Sequence, residues 1–374
     1  MFDYIEEVDA LVPWFFPVVV FVFGACWGSF LNVVIYRLPA GKSVVRPGSH
    51  CACGQPIAWY NNLPILSWCL LGGKARCCGQ KFSVRYPCVE LLTALLFLAA
   101  WMLLPVQVAV AGFVFIALLV AATFIDLDTM TLPDQITVGG CIVGVLLSFA
   151  LPELHGFGGD EPFLLRAMRS GIMGMMGAAV GSGVILWIAL SAETVLRKEA
   201  MGFGDVILMG CIGAFCGWQG ALFAIFGGAL LGTVVVIPLM ILQKLFGFAV
   251  PGPGKVVKAG KEGVSAALDK EEAEARSKAA TEEKGGEKTG TSAAPVQPAT
   301  TSSTASATSA DRPEAVAGLA EDGEQPQLGM GVAIPFGPWL ALGGLVYFLI
   351  MRGPTDAYLD TLTTIIFSPL GLAQ

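Results

Sequence analysis

Between Asp205 and Lys244 the chain carries no charged side chain, and similar apolar runs recur along much of its length. Such runs suit membrane helices, each of which needs roughly 20 apolar residues to cross the hydrocarbon core of a bilayer. Only 14% of the residues are charged, whereas soluble globular proteins have about 25%. The sequence therefore predicts an all-α polytopic membrane protein with about eight transmembrane helices. The predicted spans lie near residues 12–35, 89–104, 106–125, 136–151, 171–191, 205–218, 220–243 and 333–350.

The distribution of positive charge predicts the orientation of these spans. Segment 36–87 contains seven Lys and Arg residues and no acid, and cytoplasmic loops carry such an excess of positive charge. The first ten residues include four acids and no Lys or Arg, unlike the basic start of a cleaved signal peptide. We therefore expect a retained first helix, an N-terminus outside the membrane and a cytoplasmic 36–87 loop.

Changes in composition divide the chain into five parts. Residues 246–332 are low in complexity and very poor in aromatic side chains, which predicts a disordered cytoplasmic linker. The expected parts are a first transmembrane helix at 1–35, a cytoplasmic Cys-containing insert at 36–88, a transmembrane core at 89–245, this linker, and a last helix with a tail at 333–374.

Carboxylates stand at the ends of two predicted spans. The stretch "TFIDLDTMTLPD" places Asp126, Asp128 and Asp134 at the end of the third span, and "GFGD" places Asp205 at the start of the sixth. The predicted topology puts both ends at the cytoplasmic face, so Asp126 and Asp205 could converge. Two close carboxylates cannot both ionise easily, and one acid beside one base is what an aspartic hydrolase requires.

Other interpretations of these acids remain open on spacing alone. They could be solvated or capping residues, and Asp134 is expected to cap the fourth helix. They could also form a proton or cation relay in a membrane carrier. Gly202 and Gly204 are expected to allow positive φ and close approach of a substrate backbone. The chain has two histidines and no H-E-x-x-H motif, which excludes a zinc peptidase of that kind.

Six segments, in order, resemble the prepilin peptidase family, which belongs to the GxGD aspartic proteases. The resemblance extends over most of the chain outside 246–328, and a GxGD motif alone would be a weak signal. The matching segments are "GSFLNVVIYRLP", "NNLPILSWCLLGGKAR", "SVRYPCVELLTALLF", "FIDLDTMTLPD", "KEAMGFGDVILM" and "IPFGPWLALGG".

The resemblance implies a bifunctional enzyme of the cell inner membrane. Its catalytic pair falls on Asp126 and Asp205 by residue-by-residue match. The expected substrates are prepilins and pseudopilins of type IV pilus and type II secretion systems, and no nucleic acid is expected. The enzyme would cut a basic leader after a glycine and methylate the new N-terminus with S-adenosylmethionine. The resemblance also associates the 36–88 insert with the methyltransferase activity. A peptidase without methylation is the nearer alternative.

Four cysteines in the cytoplasmic insert form a candidate zinc site. Cys51, Cys53, Cys77 and Cys78 lie in two similar units, "CACGQ" and "CCGQ", and four thiolates suit tetrahedral zinc. Family members with this insert usually carry two C-x-x-C pairs, so both units depart from the pattern, and Ala75 stands where the third cysteine would align. His50 could replace one ligand, and free thiols are the alternative to a metal site.

Overall fold

The computed structural model describes most of the chain outside the predicted linker. The described residues are 7–9, 11–46, 48–49, 51, 53–197, 201–246 and 335–367. The predictions for the linker and for His50 as a ligand therefore lie outside the described residues.

Helices account for most of the described chain, as predicted. Short 3₁₀ turns occur at Trp59–Asn61 and Pro152–His155, and a π-helical turn at Tyr347–Met351. The helices are α1 Phe15–Arg37, α2 Leu66–Leu70, α3 Arg85–Leu103, α4 Val106–Thr129, α5 Asp134–Ala150, α6 Phe163–Leu196, α7 Phe203–Phe246, α8 Gly337–Val346 and α9 Arg352–Phe367.

Five of these helices are long and apolar enough to cross a membrane: α1, α3, α4, α6 and most of α7. Helix α5 is apolar but shorter, with 17 residues. Helix α7 is interrupted at Gly217, where φ is 71° and ψ is −179°. This interruption falls where the sequence analysis divided the region into spans 205–218 and 220–243. The polytopic all-α class is confirmed, and the count of eight spans stays a prediction.

Close glycine contacts join the helices of the bundle. Gly24 and Gly28 are four residues apart on α1 and face α3, and a Cβ on Gly24 would lie 2.8 Å from the Ala94 Cα. In the second half of the bundle, a Cβ on Gly177 of α6 would collide with the carbonyl oxygen of Gly213 on α7. Small residues of this kind allow membrane helices to approach closely without a hydrophobic driving force.

Helix α4 lies at the centre of the packing. Its buried side chains include Phe115, whose ring stacks on Phe215 of α7 with centroids 4.8 Å apart. Phe348, in the π-helical turn after α8, packs on the same ring at 5.1 Å. The turn that follows α8 is thus packed against α4, which also packs against α7. These contacts bring together three segments that are far apart in sequence.

The insert between α1 and α3 has little core of its own. In residues 53–84 the structure contains the short helix α2, a 3₁₀ turn and one isolated antiparallel bridge between Lys74 and Lys81. The buried side chains described in this region include Ala75 and Ser67. A loop of this size with so few buried apolar groups requires another source of stability.

Candidate active site

Asp126 lies in the last turn of α4 and is almost completely buried, with 6% of its surface exposed. The helix ends three residues later, and Met130 then adopts a left-handed conformation with φ 51°. The Met130 N–H donates to the Asp126 carbonyl oxygen over 2.9 Å and closes the final turn. Asp126 is therefore held on a rigid helix end.

Asp205 lies in the first turn of α7, which begins at Phe203. Its backbone N–H donates to the Gly202 carbonyl oxygen over 3.1 Å, and its side chain is half-buried. The first turn of a helix favours a negative side chain because the unpaired backbone N–H groups carry partial positive charge.

The two aspartates converge on Gly337, the first residue of α8. A Cβ placed on Gly337 would lie 2.5 Å from Oδ2 of Asp126 and 3.2 Å from Oδ1 of Asp205. A single methyl group at this position would thus contact both carboxylates. The structure brings the two predicted catalytic residues together, and their catalytic role stays a prediction.

The N-terminus of α8 is the third component of this site. The Gly337 backbone N–H lies beside the Asp126 carboxyl group. Oδ2 of Asp126 is buried and has no hydrogen-bond partner among the described residues. Buried acceptors are normally paired, so this unpaired oxygen marks the position as a candidate functional site. The resemblance suggested that the segment "IPFGP" lines the active-site cleft, and Gly337 was not singled out within it, although a glycine between Pro335 and Pro338 marks a constrained helix start.

The glycines of the GxGD motif act differently from the prediction. Neither Gly202 nor Gly204 has positive φ. Gly204 lies within α7, which has already begun at Phe203. Gly204 is instead required for close packing, since a Cβ there would lie 3.0 Å from the Cβ of Leu132. A Cβ on Gly202 would face open space. Gly204 and Leu132 therefore join the two segments that carry the aspartates.

The other acids of the first segment lie apart from the convergence point. Nη1 of Arg85 forms an ion pair of 2.6 Å with Oδ1 of Asp128. Asp134 was expected to be the N-cap of its helix, and this expectation is wrong: Pro133 is the N-cap, and no side chain makes a capping hydrogen bond. Asp134 is the first helical residue and is exposed. Its negative charge stabilises the partly positive N-terminal end of α5, although its side chain does not cap the helix.

The four predicted cysteines form a cluster. All four Sγ atoms lie within 4.8 Å of one another. The shortest separations are 3.4 Å between Cys53 and Cys77 and 3.5 Å between Cys51 and Cys78. A tetrahedral zinc with Zn–S bonds of about 2.3 Å requires sulfurs about 3.8 Å apart. The arrangement fits one such ion and is too open for disulfide bonds.

Two tight turns position these thiols. In the first, the Cys51 N–H donates to the Gln55 carbonyl oxygen over 2.8 Å, and in the second the Ala75 N–H donates to that of Gln80 over 2.7 Å. The glycine before each Gln has positive φ, 82° at Gly54 and 71° at Gly79. The second turn is one residue longer, which allows adjacent Cys77 and Cys78 to face the first pair.

The thiols of the cluster differ in their protonation. The backbone N–H of Cys53, with the neighbouring thiols, lowers the pKa of Cys51 to about 7. Hydrogen bonding with Cys53 and Cys51 raises the pKa of Cys77 to about 12. A divalent cation would favour deprotonation of all four, because a coordinating thiol is held as the thiolate.

A second polar site lies at His155, between α5 and α6. Nε2 of His155 is 2.9 Å from the buried Oγ of Ser148, which also donates to the Gly144 carbonyl oxygen. Among the described residues no carboxylate is hydrogen-bonded to this His. Among the described residues the pair therefore lacks the third member of a Ser-His-Asp triad.

Comparisons with known proteins give two adjoining family matches. Residues 22–104 match the bacterial peptidase A24 N-terminal domain, and residues 113–237 match the type IV leader peptidase family. The first match ends near the carboxyl end of α3, and the second includes both aspartates of the site. No solved structure matches the chain.

Individual relatives agree with these matches. A prepilin leader peptidase/N-methyltransferase of Myxococcus xanthus (strain DK1622) is 42% identical over 61% of this chain and 64% of its own length, just under two thirds. A protein with the same name from Klebsiella pneumoniae is 33% identical over 58% of this chain and 91% of its own length. A type 4 prepilin-like proteins leader peptide-processing enzyme of Escherichia coli is 36% identical over 58% and 81%, respectively.

Proposed function

Because this chain belongs to the type IV prepilin leader peptidase family, we propose that it is a bifunctional membrane enzyme of prepilin processing. It cuts the leader from prepilins and pseudopilins at the cytoplasmic face of the inner membrane and methylates the new N-terminus. One observation carries the first activity: Asp126 and Asp205, on separate helices, converge on Gly337. The family favours this function over the alternative of a carrier.

The aspartates share the acid and base roles of peptide hydrolysis. The two carboxylates converge on one glycine, so their like charges would repel each other. The pair therefore holds one proton and one negative charge. The ionised carboxylate takes a proton from a water whose oxygen attacks the scissile carbonyl carbon. The protonated carboxyl group donates to the carbonyl oxygen, and a proton then reaches the leaving amine as the C–N bond breaks. The partial positive charge at the N-terminus of α8 stabilises the negative charge that remains on the pair.

The position of the pair suits a substrate that is itself a membrane protein. Asp126 ends one apolar helix and Asp205 begins another, so the bond that they cut lies where the membrane span begins. The excess of Lys and Arg in segment 36–87 supports a cytoplasmic position for this end and an N-terminus outside the membrane. A leader that precedes an apolar helix would present its cleavage site at this depth.

We propose a structural zinc at Cys51, Cys53, Cys77 and Cys78. The four-sulfur set is the type that holds zinc tetrahedrally without an open position. It would stabilise an insert that buries few apolar side chains. Its expected contribution is therefore to fold the insert, and the peptidase reaction does not depend on it.

Methylation requires S-adenosylmethionine, which carries a methyl group on a positively charged sulfur. When bound, it supplies this group to the lone pair of the amine nitrogen and leaves as a neutral thioether, while the nitrogen releases one proton. A peptidase without this second activity would yield pilins with an unmodified N-terminus, which mass spectrometry distinguishes by the mass of one methylene.

Prepilin cleavage by single Asn variants tests the catalytic pair. Membranes with the wild-type chain, Asp126→Asn or Asp205→Asn are incubated with a prepilin, and leader loss is followed by gel shift and mass spectrometry. Asp160→Asn is the matched control, since Asp160 is exposed and lies beyond the opposite end of α5. We expect wild-type cleavage in the control and a loss of about 10³-fold or more in either pair variant.

The alternative outcomes are distinct. Cleavage that survives Asp126→Asn or Asp205→Asn, at equal protein level, would remove that residue from the pair and direct attention to Asp128. A wild-type chain that cuts none of several prepilins and pseudopilins would overturn the proposed function.

A further inference from the structure

Glu90 is a buried acid that the peptidase site does not use. It lies on α3 and exposes 8% of its surface. Its Oε2 accepts a hydrogen bond of 2.7 Å from the Ile65 backbone N–H, and the Ser29 hydroxyl lies beside its carboxyl group. Among the described residues no cation forms an ion pair with it. A buried carboxylate is costly unless it is paired, so this acid requires an explanation.

The surrounding structure is built closely around Glu90. A Cβ on Gly28 of α1 would lie 2.7 Å from the Glu90 Cα, so the two helices touch at this residue. Ile65, in the insert, has φ 61°, a conformation that is unfavourable for a β-branched residue. Its N–H is thereby held against the carboxylate. Backbone strain of this kind is typical of functional sites.

A groove lies next to this carboxylate, between the cytoplasmic half of α1 and the insert. Its volume is about 430 Å³, within the usual range of roughly 300–1,000 Å³ for small-molecule sites. Ser29 lines it and also lies beside Glu90. Its insert side is formed by Asn62, Leu63 and Pro64, which lead directly into Ile65.

The lining of the groove combines three kinds of groups. Phe30 and Val33 offer apolar surface, and Ser29 and Asn62 offer hydrogen bonds. Arg37 adds a guanidinium, whose Nη1 also donates to the Ser43 carbonyl oxygen over 3.2 Å. An adenosyl sulfonium amino acid has matching parts: a flat apolar base, ribose hydroxyls and a carboxylate. It also carries two positive groups, the α-ammonium and the sulfonium, and the acid beside the groove is Glu90, which lies behind the lining residue Ser29.

We propose that this groove binds S-adenosylmethionine and that Glu90 supplies the negative charge recognising its sulfonium. The inference rests on the proposed methyltransferase activity. Methyl transfer leaves a neutral thioether, so a buried carboxylate favours the donor over the spent product and promotes product release. The groove adjoins the insert at the end of α1 that the topology places in the cytoplasm, where the donor is available.

Ligand binding to the purified full-length protein in detergent tests the inference independently of turnover. Titration calorimetry compares S-adenosylmethionine with S-adenosylhomocysteine, its neutral product, on wild type and Glu90→Gln. Gln retains an acceptor for the Ile65 N–H and removes the charge. We expect wild type to prefer the charged ligand by at least about tenfold and Glu90→Gln to lose that preference. Leader cleavage, measured in parallel, reports that the variant is folded.

Two further variants serve as a control for charge removal and as a test of the groove itself. Glu161→Gln removes an exposed carboxylate that pairs with Arg169, and it should leave both affinities unchanged. Val33→Trp fills the groove without altering Glu90, and it should weaken both ligands alike.

Several results would overturn the inference. One is an unchanged preference for the charged ligand in Glu90→Gln, and another is parallel loss of cleavage and binding, which would make Glu90 only structural. A third is normal donor binding with a raised KM for the cleaved pilin, which would assign Glu90 to the substrate ammonium. If wild type cuts prepilin but neither methylates nor binds the donor, the methyltransferase proposal itself fails.

Discussion

Arg85 and Asp128 join the start of α3 to the last turn of α4, with 2.6 Å between Nη1 and Oδ1. Nη2 of Arg85 also donates to the Phe124 carbonyl oxygen over 3.2 Å, and its guanidinium lies 5.1 Å from the centroid of that ring. Asp126 is in the same helical turn. The Arg85 side chain therefore connects the helix that follows the insert to the helix end that holds an aspartate of the proposed pair.

The first prediction separates Asp128 from the catalytic pair. The Arg85 and Asp128 side chains are 37% and 30% exposed, and a partly exposed ion pair contributes about 1 kcal/mol or less. Asp128→Asn and Arg85→Met should therefore lower the initial rate of prepilin cleavage by less than about tenfold. If Asp128→Asn were as inactive as Asp126→Asn, Asp128 would have to be a member of the pair.

The second prediction concerns Gly337. A Cβ there would lie 2.5 Å from Oδ2 of Asp126, so Gly337→Ala should displace that carboxylate and lower cleavage by about 100-fold or more. Methylation of a pilin supplied without its leader should continue, because the donor groove is formed by α1 and the insert. Both activities are measured on the same membranes.

Gly353→Ala is the matched control for this variant, since a Cβ on Gly353 meets nothing within 4 Å. It should retain full cleavage. Gly337→Ala with wild-type cleavage would place the aspartates elsewhere relative to α8.

The sequence was most informative where membrane chemistry is restrictive. Carboxylates at the ends of apolar spans are expensive, so Asp126 and Asp205 were identifiable with no structural information. Gly337 was not singled out within its segment, because its contact with Asp126 joins residues more than two hundred positions apart. Gly204 was identified for the wrong reason: a GxGD motif suggests a turn, and only the helix start at Phe203 and the contact with Leu132 show its packing role.

The third prediction tests that packing role. Gly204→Ala should lower cleavage, because the new methyl group would lie 3.0 Å from the Leu132 Cβ and separate the two catalytic segments. Leu132→Ala should restore part of the lost rate, since it removes Cγ and Cδ1, which lie 3.6 and 3.4 Å from the same methyl group, and lets the remaining Cβ move away. A double-mutant cycle on initial rates measures the coupling, expected at about 0.5–3 kcal/mol for residues in contact.

Gly202→Ala provides the comparison, because a Cβ on Gly202 meets nothing within 4 Å. It should show no coupling to Leu132→Ala. Equal coupling at both glycines would mean that Leu132 acts through general destabilisation.

The fourth prediction concerns the cysteine cluster. The purified protein should contain about one zinc per chain by elemental analysis, since four thiolates complete one tetrahedral site. Cys53→Ser or Cys77→Ser should lower the metal content and expose the insert to proteolysis. Cys69→Ser is the control, because Cys69 is a free thiol of the insert outside the cluster and should leave the metal content unchanged. Full zinc in the Cys53 and Cys77 variants would exclude the site.

The fifth prediction is a pH dependence that arises away from the peptidase site. Burial, with a smaller effect of the Arg352 charge, lowers the pKa of His155 from 6.5 to about 4. The unfolded chain therefore binds a proton at a higher pH than the folded one, and stability is lost as the pH falls from about 6.5 towards 4. The shift corresponds to at most about 3 kcal/mol.

Thermal unfolding in detergent should show this loss in wild type and a flatter profile in His155→Gln, whose amide can still bond to Ser148. An equally steep profile in the variant would assign the dependence to other groups, because only His155 has been changed.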